Sequence, residues 1–242
     1  VADPNFSMKF PENYSGTVKR KITLSVYDNG VEYGQRDTTD YGNGENGIKT
    51  AEVDFKVNVN PVADDATIKV GPPEGYEDAG RSLGNTSTKE IDASKIDKPE
   101  DGIKLPITVT STDTDGSETF TVTIKDIPNG SGLYVYDKSS ASYKLVEVSN
   151  VGTITIDGQA VTGDKSGNIS VKEENGKFAV EIKDYQNTEQ PKFIPPHNSH
   201  GNFDLKVDAK TVDTVVIDGN PVTSENTTAI DKPIKVVVKD VA

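Results

Sequence analysis

The chain has 242 residues, with no cysteine and no tryptophan, and aromatic residues make up only 7% of it. This composition favours one or two β-rich domains with thin cores, and the lack of thiols excludes disulfides, thiolate metal sites and cysteine nucleophiles. The formal net charge of −13 repels nucleic acid and anionic lipid and attracts cations, so we expect neither a nucleic-acid partner nor membrane insertion.

Alternating apolar and polar residues predict strands along most of the chain. The pattern first appears in Val18–Tyr27, where Ile22, Leu24 and Val26 alternate with polar neighbours. Asp-Gly and Asn-Gly turn signals separate the later runs, which is typical of an antiparallel β-sandwich. The other predicted strands are Val53–Val59, Ile103–Thr110, Thr119–Ile124, Lys177–Ile182, Phe203–Val207 and Ile234–Val238.

An internal repeat relates the two ends of the chain. Residues Pro11–Asp28 align without a gap on Pro196–Asp213, and both segments share proline, asparagine, glycine, lysine and a final aspartate. Further along, Phe55–Ala63 align on Ile234–Ala242. Both matches lie at the end of a unit, so the chain contains the last part of one repeat followed by a second repeat.

The repeat spacing sets the expected domain boundaries. It equals 179 residues, 242 minus 63, which is long for a seven-strand sandwich of ~100 residues. We expect residues 1–61 to be the C-terminal part of a preceding sandwich and residues 62–242 to be a complete sandwich with an insertion around 128–190. Residues 1–61 supply too few strands to close a sandwich, so we expect them to pair with another element, to pair with another chain or to stay partly exposed.

A shorter echo lies inside the second repeat. Residues Thr153–Thr162 resemble Thr214–Thr223, and each segment places Ile-Asp-Gly between short apolar runs. Glycine adopts the left-handed conformation that tight hairpins need. We interpret both segments as structural hairpins, and a small recognition surface is the alternative.

Four stretches together resemble a known family. They are Asn60–Asp65 (NPVADD), Glu77–Asp78, Thr112–Thr123 (TDTDGSETFTVT) and Ile127–Gly130 (IPNG). In this combination the chain resembles the repeat (extender) module of large type I-secreted bacterial adhesins of the repeats-in-toxin (RTX) class.

The resemblance implies a fold and a function. The fold would be all-β, with antiparallel immunoglobulin-like (cadherin-like) β-sandwich repeats in tandem. The protein would be extracellular, at the bacterial cell surface, where it would fold on meeting calcium and hold a distal adhesive domain away from the cell. It would thereby support cell adhesion and biofilm formation, and its partners would be neighbouring repeats of the same polypeptide.

Clustered acidic residues are the candidate ligands for calcium (Ca2+), which takes six to eight oxygen ligands in proteins. Asp113 and Asp115 lie on the same side of an extended segment, and Glu118 can reach back after the turn at Gly116. The remaining candidates lie in or near the linker between the repeats: Asp64, Asp65, Glu77 and Asp78.

The two histidines, His197 and His200, are spaced i, i+3 in a proline-containing loop. A zinc pair at this spacing would need a third ligand, and none can be placed from the sequence. We therefore interpret the histidines as turn residues, with a zinc pair as the alternative.

Catalytic signatures are missing from the sequence, which has no Gly-x-Ser-x-Gly elbow, phosphate loop or His-Glu-x-x-His motif. We therefore predict that the protein is not an enzyme and assign no catalytic residue. The alternative function is a ligand-binding adhesin module, in which the 128–190 insertion binds a host or biofilm glycan or a peptide. Its candidate contact residues are Tyr134, Tyr136, Tyr143 and Tyr185.

Overall fold

The computed structural model describes residues 7–27, 48–80, 102–113, 116–149, 153–160, 165–174 and 177–240. Throughout these residues the secondary structure consists of strands and turns, without a helix. The prediction of an all-β protein is therefore confirmed. In the same part of the chain, no helix is long and apolar enough to cross a membrane.

The strands differ widely in length, and the last two are the longest. In chain order they are β1 (Gly16–Tyr27), β2 (Ile48–Val59), β3 (Ala66–Val70), β4 (Glu74–Tyr76), β5 (Ile103–Lys104), β6 (Ile107–Ser111), β7 (Glu118–Ile127), β8 (Gly132–Asp137), β9 (Ser142–Val148), β10 (Ile154–Ile156), β11 (Gln159–Ala160), β12 (Lys165–Ser166), β13 (Ile169–Glu174), β14 (Lys177–Ile182), β15 (Lys192–Ile194), β16 (Gly201–Ile217) and β17 (Asn220–Lys239).

One predicted strand is interrupted. The run Ile103–Thr110 forms two strands, β5 and β6, which are separated by Leu105 and Pro106. Proline has no backbone N–H to donate to a strand ladder, so the pairing stops there. On either side, the Leu105 N–H donates to the carbonyl oxygen of Pro191, and Gly71 N–H donates to the carbonyl oxygen of Pro106.

The chain divides into two compact units. The first consists of Val1–Pro61 together with Val215–Val222, and the second consists of Val62–Thr214 and Thr223–Ala242. Residues 215–222, which we expected to belong to the repeat 62–242, are thus grouped with the first unit. There the Lys56 ammonium donates to the Asp218 carboxylate, with Nζ 2.7 Å from Oδ1.

In the first unit, β1 and β2 form a two-stranded antiparallel sheet with an unbroken register from Gly16 opposite Val59 to Tyr27 opposite Ile48. One face of this sheet is apolar and exposed. Ile22 lies opposite Val53, and these side chains are 46% and 62% exposed. The expectation that this sheet would be partly exposed is met in the described residues.

The second unit has a sandwich-like arrangement of sheets around one core. Its six-stranded sheet has the order β11-β10-β9-β8-β15-β5, and its seven-stranded sheet has the order β12-β13-β14-β7-β16-β17-β4. Strands β3 and β6 form a further pair. The sheets share one hydrophobic cluster, to which β8 contributes Leu133 and Val135, β7 contributes Ile124, β16 contributes Val207 and β6 contributes Val109. Burial of these branched side chains is the main stabilising contribution to such a fold.

Two hairpins have the turn that their sequence predicts. Asp157 and Gly158 connect β10 to β11 with φ angles of 50° and 74°, and Asp218 and Gly219 connect β16 to β17 with φ angles of 54° and 82°. Positive φ at both central residues is the property of a type I′ turn, whose twist matches that of antiparallel strands. The prediction of hairpins at both Ile-Asp-Gly segments is confirmed.

The segments aligned by the internal repeat also share a local conformation. Asn13 and its aligned partner Asn198 have positive φ angles of 62° and 52°. Gly16 and Gly201, which begin β1 and β16, have φ angles of 130° and 112°. The same backbone hydrogen bond closes both turns, from Tyr14 N–H to Pro11 O (3.4 Å) and from Ser199 N–H to Pro196 O (3.2 Å).

Candidate metal centre

Three of the predicted calcium ligands lie together in the second unit. Asp64, Asp113 and Glu118 each offer a carboxylate oxygen, and these three atoms lie within 4.8 Å of one another. All three side chains are half-buried. Carboxylate oxygens are the hard ligands that calcium, magnesium and manganese take in proteins, so these three residues could hold such an ion.

The pairing of β3 with β6 brings two of these carboxylates together. Ala66, the first residue of β3, lies opposite Ser111, the last residue of β6. Asp64 lies two residues before Ala66, and Asp113 lies two residues after Ser111. The two segments that leave this end of the ladder therefore place the two aspartates near each other. Paired strands are about 4.8 Å apart, so residues that leave the same end of a ladder start close together.

Hydrogen bonds hold the three acidic residues in place. The backbone N–H of Asp64 donates to Oε1 of Glu118 at 2.6 Å. The Thr112 hydroxyl donates to Oδ2 of Asp64 at 3.2 Å, and the Asp113 N–H donates to the Ser111 hydroxyl oxygen at 3.1 Å. The second carboxylate oxygen of Glu118, Oε2, is buried and has no hydrogen-bond partner within the described chain. A cation bound by the cluster would compensate this oxygen.

The linker segment that carries Asp64 is attached to β17 and β16. Three β17 residues two positions apart, and so on one face of the strand, form hydrogen bonds with it: Ser224 to Ala63 N–H (3.1 Å), Asn226 to Asp65 Oδ1 (2.9 Å) and Thr228 to Ala66 N–H (2.8 Å). From β16, the buried Thr211 hydroxyl donates to the carbonyl oxygen of Asp64. These polar strand residues fix the path of the linker, and sequence periodicity alone gave no reason to select them.

The other predicted ligands have different positions. Asp65 accepts its hydrogen bond from Asn226 and is not one of the three converging carboxylates. Asp115 lies outside the described residues.

Glu77 and Asp78 follow β4, which pairs with the end of β17 through Gly75 opposite Val238. From Asn226 to Val238 an extended strand advances roughly 40 Å, so Glu77 and Asp78 lie far from Asp64.

Asp78 stabilises a turn in the second unit. Its buried Oδ1 accepts a hydrogen bond from the backbone N–H of Asn198 at 2.9 Å and lies 2.7 Å from Nδ1 of His197. His197 and Asn198 are both in a turn, which agrees with the interpretation of His197 as a turn residue, whereas His200 lies two residues beyond that turn.

Glu77 belongs to a second, more exposed group with His200 and Asp240. The Nδ1 atom of His200 lies 3.7 Å from Oε2 of Glu77. Because His197 contacts Asp78 instead, the two histidines are directed to different carboxylates. Sequence reasoning did not select Asp240, because it is separated from Glu77 by most of the second unit.

The four tyrosines of the alternative ligand site do not have one role. Tyr134 and Tyr185 are buried, and the Tyr185 hydroxyl donates to the carbonyl oxygen of Ile107 at 2.8 Å. Burial, with smaller contributions from Tyr143 and Glu189, raises the pKa of the Tyr185 hydroxyl. Tyr136 and Tyr143 are half-buried and pack edge to face, with ring centroids 5.5 Å apart. Two of the four tyrosines are therefore core residues.

The chain matches no protein-family model, and comparisons with curated proteins and with solved structures found no similar protein. The support for a function therefore comes from the sequence patterns and from the geometry of the second unit.

Proposed function

We propose that the chain is a calcium-stiffened structural extender segment of a large bacterial surface adhesin, which supports cell adhesion and biofilm formation. The observation that carries this proposal is the convergence of Asp64, Asp113 and Glu118 beside the linker that leads into the second unit. An ion bound there would fix the position of Asp64, three residues after Pro61, and so would restrain the start of this unit.

Calcium fits these residues better than magnesium or zinc does. The three carboxylates supply up to six oxygen atoms, and calcium accepts six to eight oxygens in a flexible geometry. Magnesium requires a nearly ideal octahedron and retains several waters, and zinc favours nitrogen and sulfur ligands. No histidine belongs to this group among the described residues.

A difference in burial between aligned residues of the hairpins β1–β2 and β16–β17 supports a tandem immunoglobulin-like or cadherin-like arrangement. The alignment pairs Ile22 on β1 with Val207 on β16, and Val207 is completely buried whereas Ile22 is 46% exposed. The same turn conformation precedes both strands. We interpret β1–β2 as the closing hairpin of a preceding repeat, whose remaining strands would cover its apolar face.

An extracellular, cell-surface location also follows from this proposal. Extracellular calcium sites have dissociation constants of about 10⁻⁴ to 10⁻³ M, so they are largely filled at millimolar calcium and vacant in the cytosol. The chain would then stay flexible during type I secretion and stiffen outside the cell. Its partners would be neighbouring repeats, and the protein would have no enzymatic role.

Small-angle X-ray scattering of tandem arrays tests this function. Chains with two, three and four copies of residues 62–242 should increase in maximum dimension by a constant increment in calcium, because each filled site restrains one linker. The matched control is the same arrays with Glu118→Gln in every copy, which should behave in calcium as the unchanged arrays do in chelator. Arrays that scatter as flexible chains both with and without calcium would contradict the extender proposal.

The ligand-binding alternative remains a prediction for the 128–190 segment. Of its four candidate tyrosines, only Tyr136 and Tyr143 are partly exposed, since Tyr134 and Tyr185 are buried in the core. We therefore give the extender function precedence.

A further inference from the structure

A fourth acidic residue lies next to the candidate metal centre. Asp213 on β16 is only 2% exposed and lies directly opposite Glu118 on β7 in the antiparallel register. Residues that are directly opposite in such a pair project from the same face of the sheet, with Cβ atoms about 4.5–5.5 Å apart. The Asp213 side chain therefore shares its face of the sheet with Glu118.

These neighbouring carboxylates each have an uncompensated oxygen. Oδ1 of Asp213 and Oε2 of Glu118 are both buried without a hydrogen-bond partner in the described chain. Native proteins satisfy nearly all buried polar atoms, because each buried and unpaired group destabilises the folded state. Two like charges directly opposite each other on a sheet add a further repulsion.

The nearest lysine on the strand that carries Asp213 is engaged elsewhere. Lys210, three residues before Asp213 on β16, forms its ion pair with Glu225 at 2.9 Å. Asp213 and Glu118 therefore share an excess of buried negative charge where β7 pairs with β16.

We propose that Asp213 belongs to the metal centre as its buried fourth carboxylate, whose charge the bound ion neutralises. This inference rests on the proposed function, and it extends the role of calcium from the linker to the pairing of β7 with β16 in the sandwich. Asp213 was not a candidate ligand in the sequence, because only the strand register reveals its position beside Glu118.

The proposal predicts effects of opposite sign in two buffers. Without calcium, Asp213→Asn removes a buried charge and its repulsion from Glu118, so the variant should melt at the same temperature as the unchanged protein or higher. With calcium, the loss of one carboxylate should weaken binding at least 10-fold and reduce the rise in melting temperature. If Asp213 only stabilised the fold and bound no ion, Asp213→Asn would instead lower the melting temperature in chelator.

The experiment measures the calcium dissociation constant by titration calorimetry and the melting temperature in calcium and in chelator. The matched control is Asp204→Asn, an exposed aspartate on the same strand, which should behave as the unchanged protein does. If the unchanged protein binds calcium and Asp213→Asn binds it equally well, the inference about Asp213 is wrong while the proposed function stands. If Asp213→Asn is less stable or unfolded in chelator, the inference is also wrong. If the unchanged protein binds no calcium, both fail.

Discussion

We expect calcium at 10 mM to raise the melting temperature of the protein by roughly 5–10 °C over its value in chelator, and Glu118→Gln to remove most of this rise. For a site with a dissociation constant of about 10⁻⁴ M, this concentration is about 100-fold above half-saturation and stabilises the folded state by about 2.7 kcal/mol. One kcal/mol shifts the melting temperature by roughly 2–4 °C in a protein of this size.

The expected effect of calcium follows from charge repulsion. Two carboxylates about 4 Å apart near a protein surface repel each other by on the order of 4 kcal/mol. Asp64, Asp113 and Glu118 each place a carboxylate oxygen within 4.8 Å of the other two, so each of the three pairs is repulsive. A divalent ion replaces this repulsion by attraction only when the chain is folded. Glu118→Gln preserves the shape of the side chain and the acceptor for the Asp64 N–H but removes one charge.

The controls for this prediction separate a specific site from general charge screening. Magnesium at the same concentration should produce a smaller rise than calcium, because a site made mostly of protein oxygens suits calcium. Glu173→Gln, which removes an exposed charge on β13, should leave the effect of calcium unchanged. Equal melting temperatures of the unchanged protein in calcium and in chelator would exclude a stabilising site.

We expect a cysteine at position 22 to react roughly 100-fold more slowly with a maleimide when the strands of a preceding repeat are added to the protein. The chain has no cysteine, so Ile22→Cys introduces a single reactive thiol. To supply the missing strands, a second protein is made in which a copy of residues 62–195 is fused directly before Pro11. This junction is chosen because Pro11 aligns with Pro196, which follows residue 195 in the complete repeat. If the added strands bury the thiol, labelling requires local unfolding of these strands. A free energy of about 3 kcal/mol for this opening slows labelling roughly 100-fold.

The physical reason is the burial of the aligned residue. Val207, the counterpart of Ile22, is fully buried in the complete sandwich, so Ile22 should become buried when equivalent strands are present. Thr23→Cys, on the opposite face of the same strand, should react rapidly in both proteins. Equal labelling of Ile22→Cys in the two proteins would contradict the repeat assignment. Labelling of Ile22→Cys in the unextended protein could also be slow and become slower at higher protein concentration. That result would show that a second copy of the chain covers this face.

Much of the fold could be predicted from the sequence, because strand periodicity is a local property. The predicted strand Lys177–Ile182 coincides with β14. In contrast, Phe203–Val207 and Ile234–Val238 are only the apolar portions of the much longer β16 and β17. The first part of β17 is rich in exposed polar residues, so no apolar alternation marks it. In β16 the alternating buried positions continue beyond Val207, but polar Thr211 and Asp213 occupy two of them.

The candidate site could be predicted only in part. Asp113 and Glu118 are close in sequence, and Asp64 is brought to them by the adjacent ladder of β3 and β6. The position of Asp213 opposite Glu118 depends on the register between β7 and β16. These strands are distant in sequence, and no local pattern reveals their register. Glu77 was assigned to the same joint, but the parallel pairing of β4 with β17 places it elsewhere.

The central claim is that calcium is bound by Asp64, Asp113 and Glu118, and anomalous diffraction from crystals grown in calcium tests it most directly. We expect an anomalous difference peak about 2.3–2.6 Å from a carboxylate oxygen of each of these residues, the distance range of calcium–oxygen bonds in proteins. Crystals of Glu118→Gln grown in the same solution should show a weaker peak or none. Ordered carboxylates without a peak between them, at millimolar calcium, would contradict the claim.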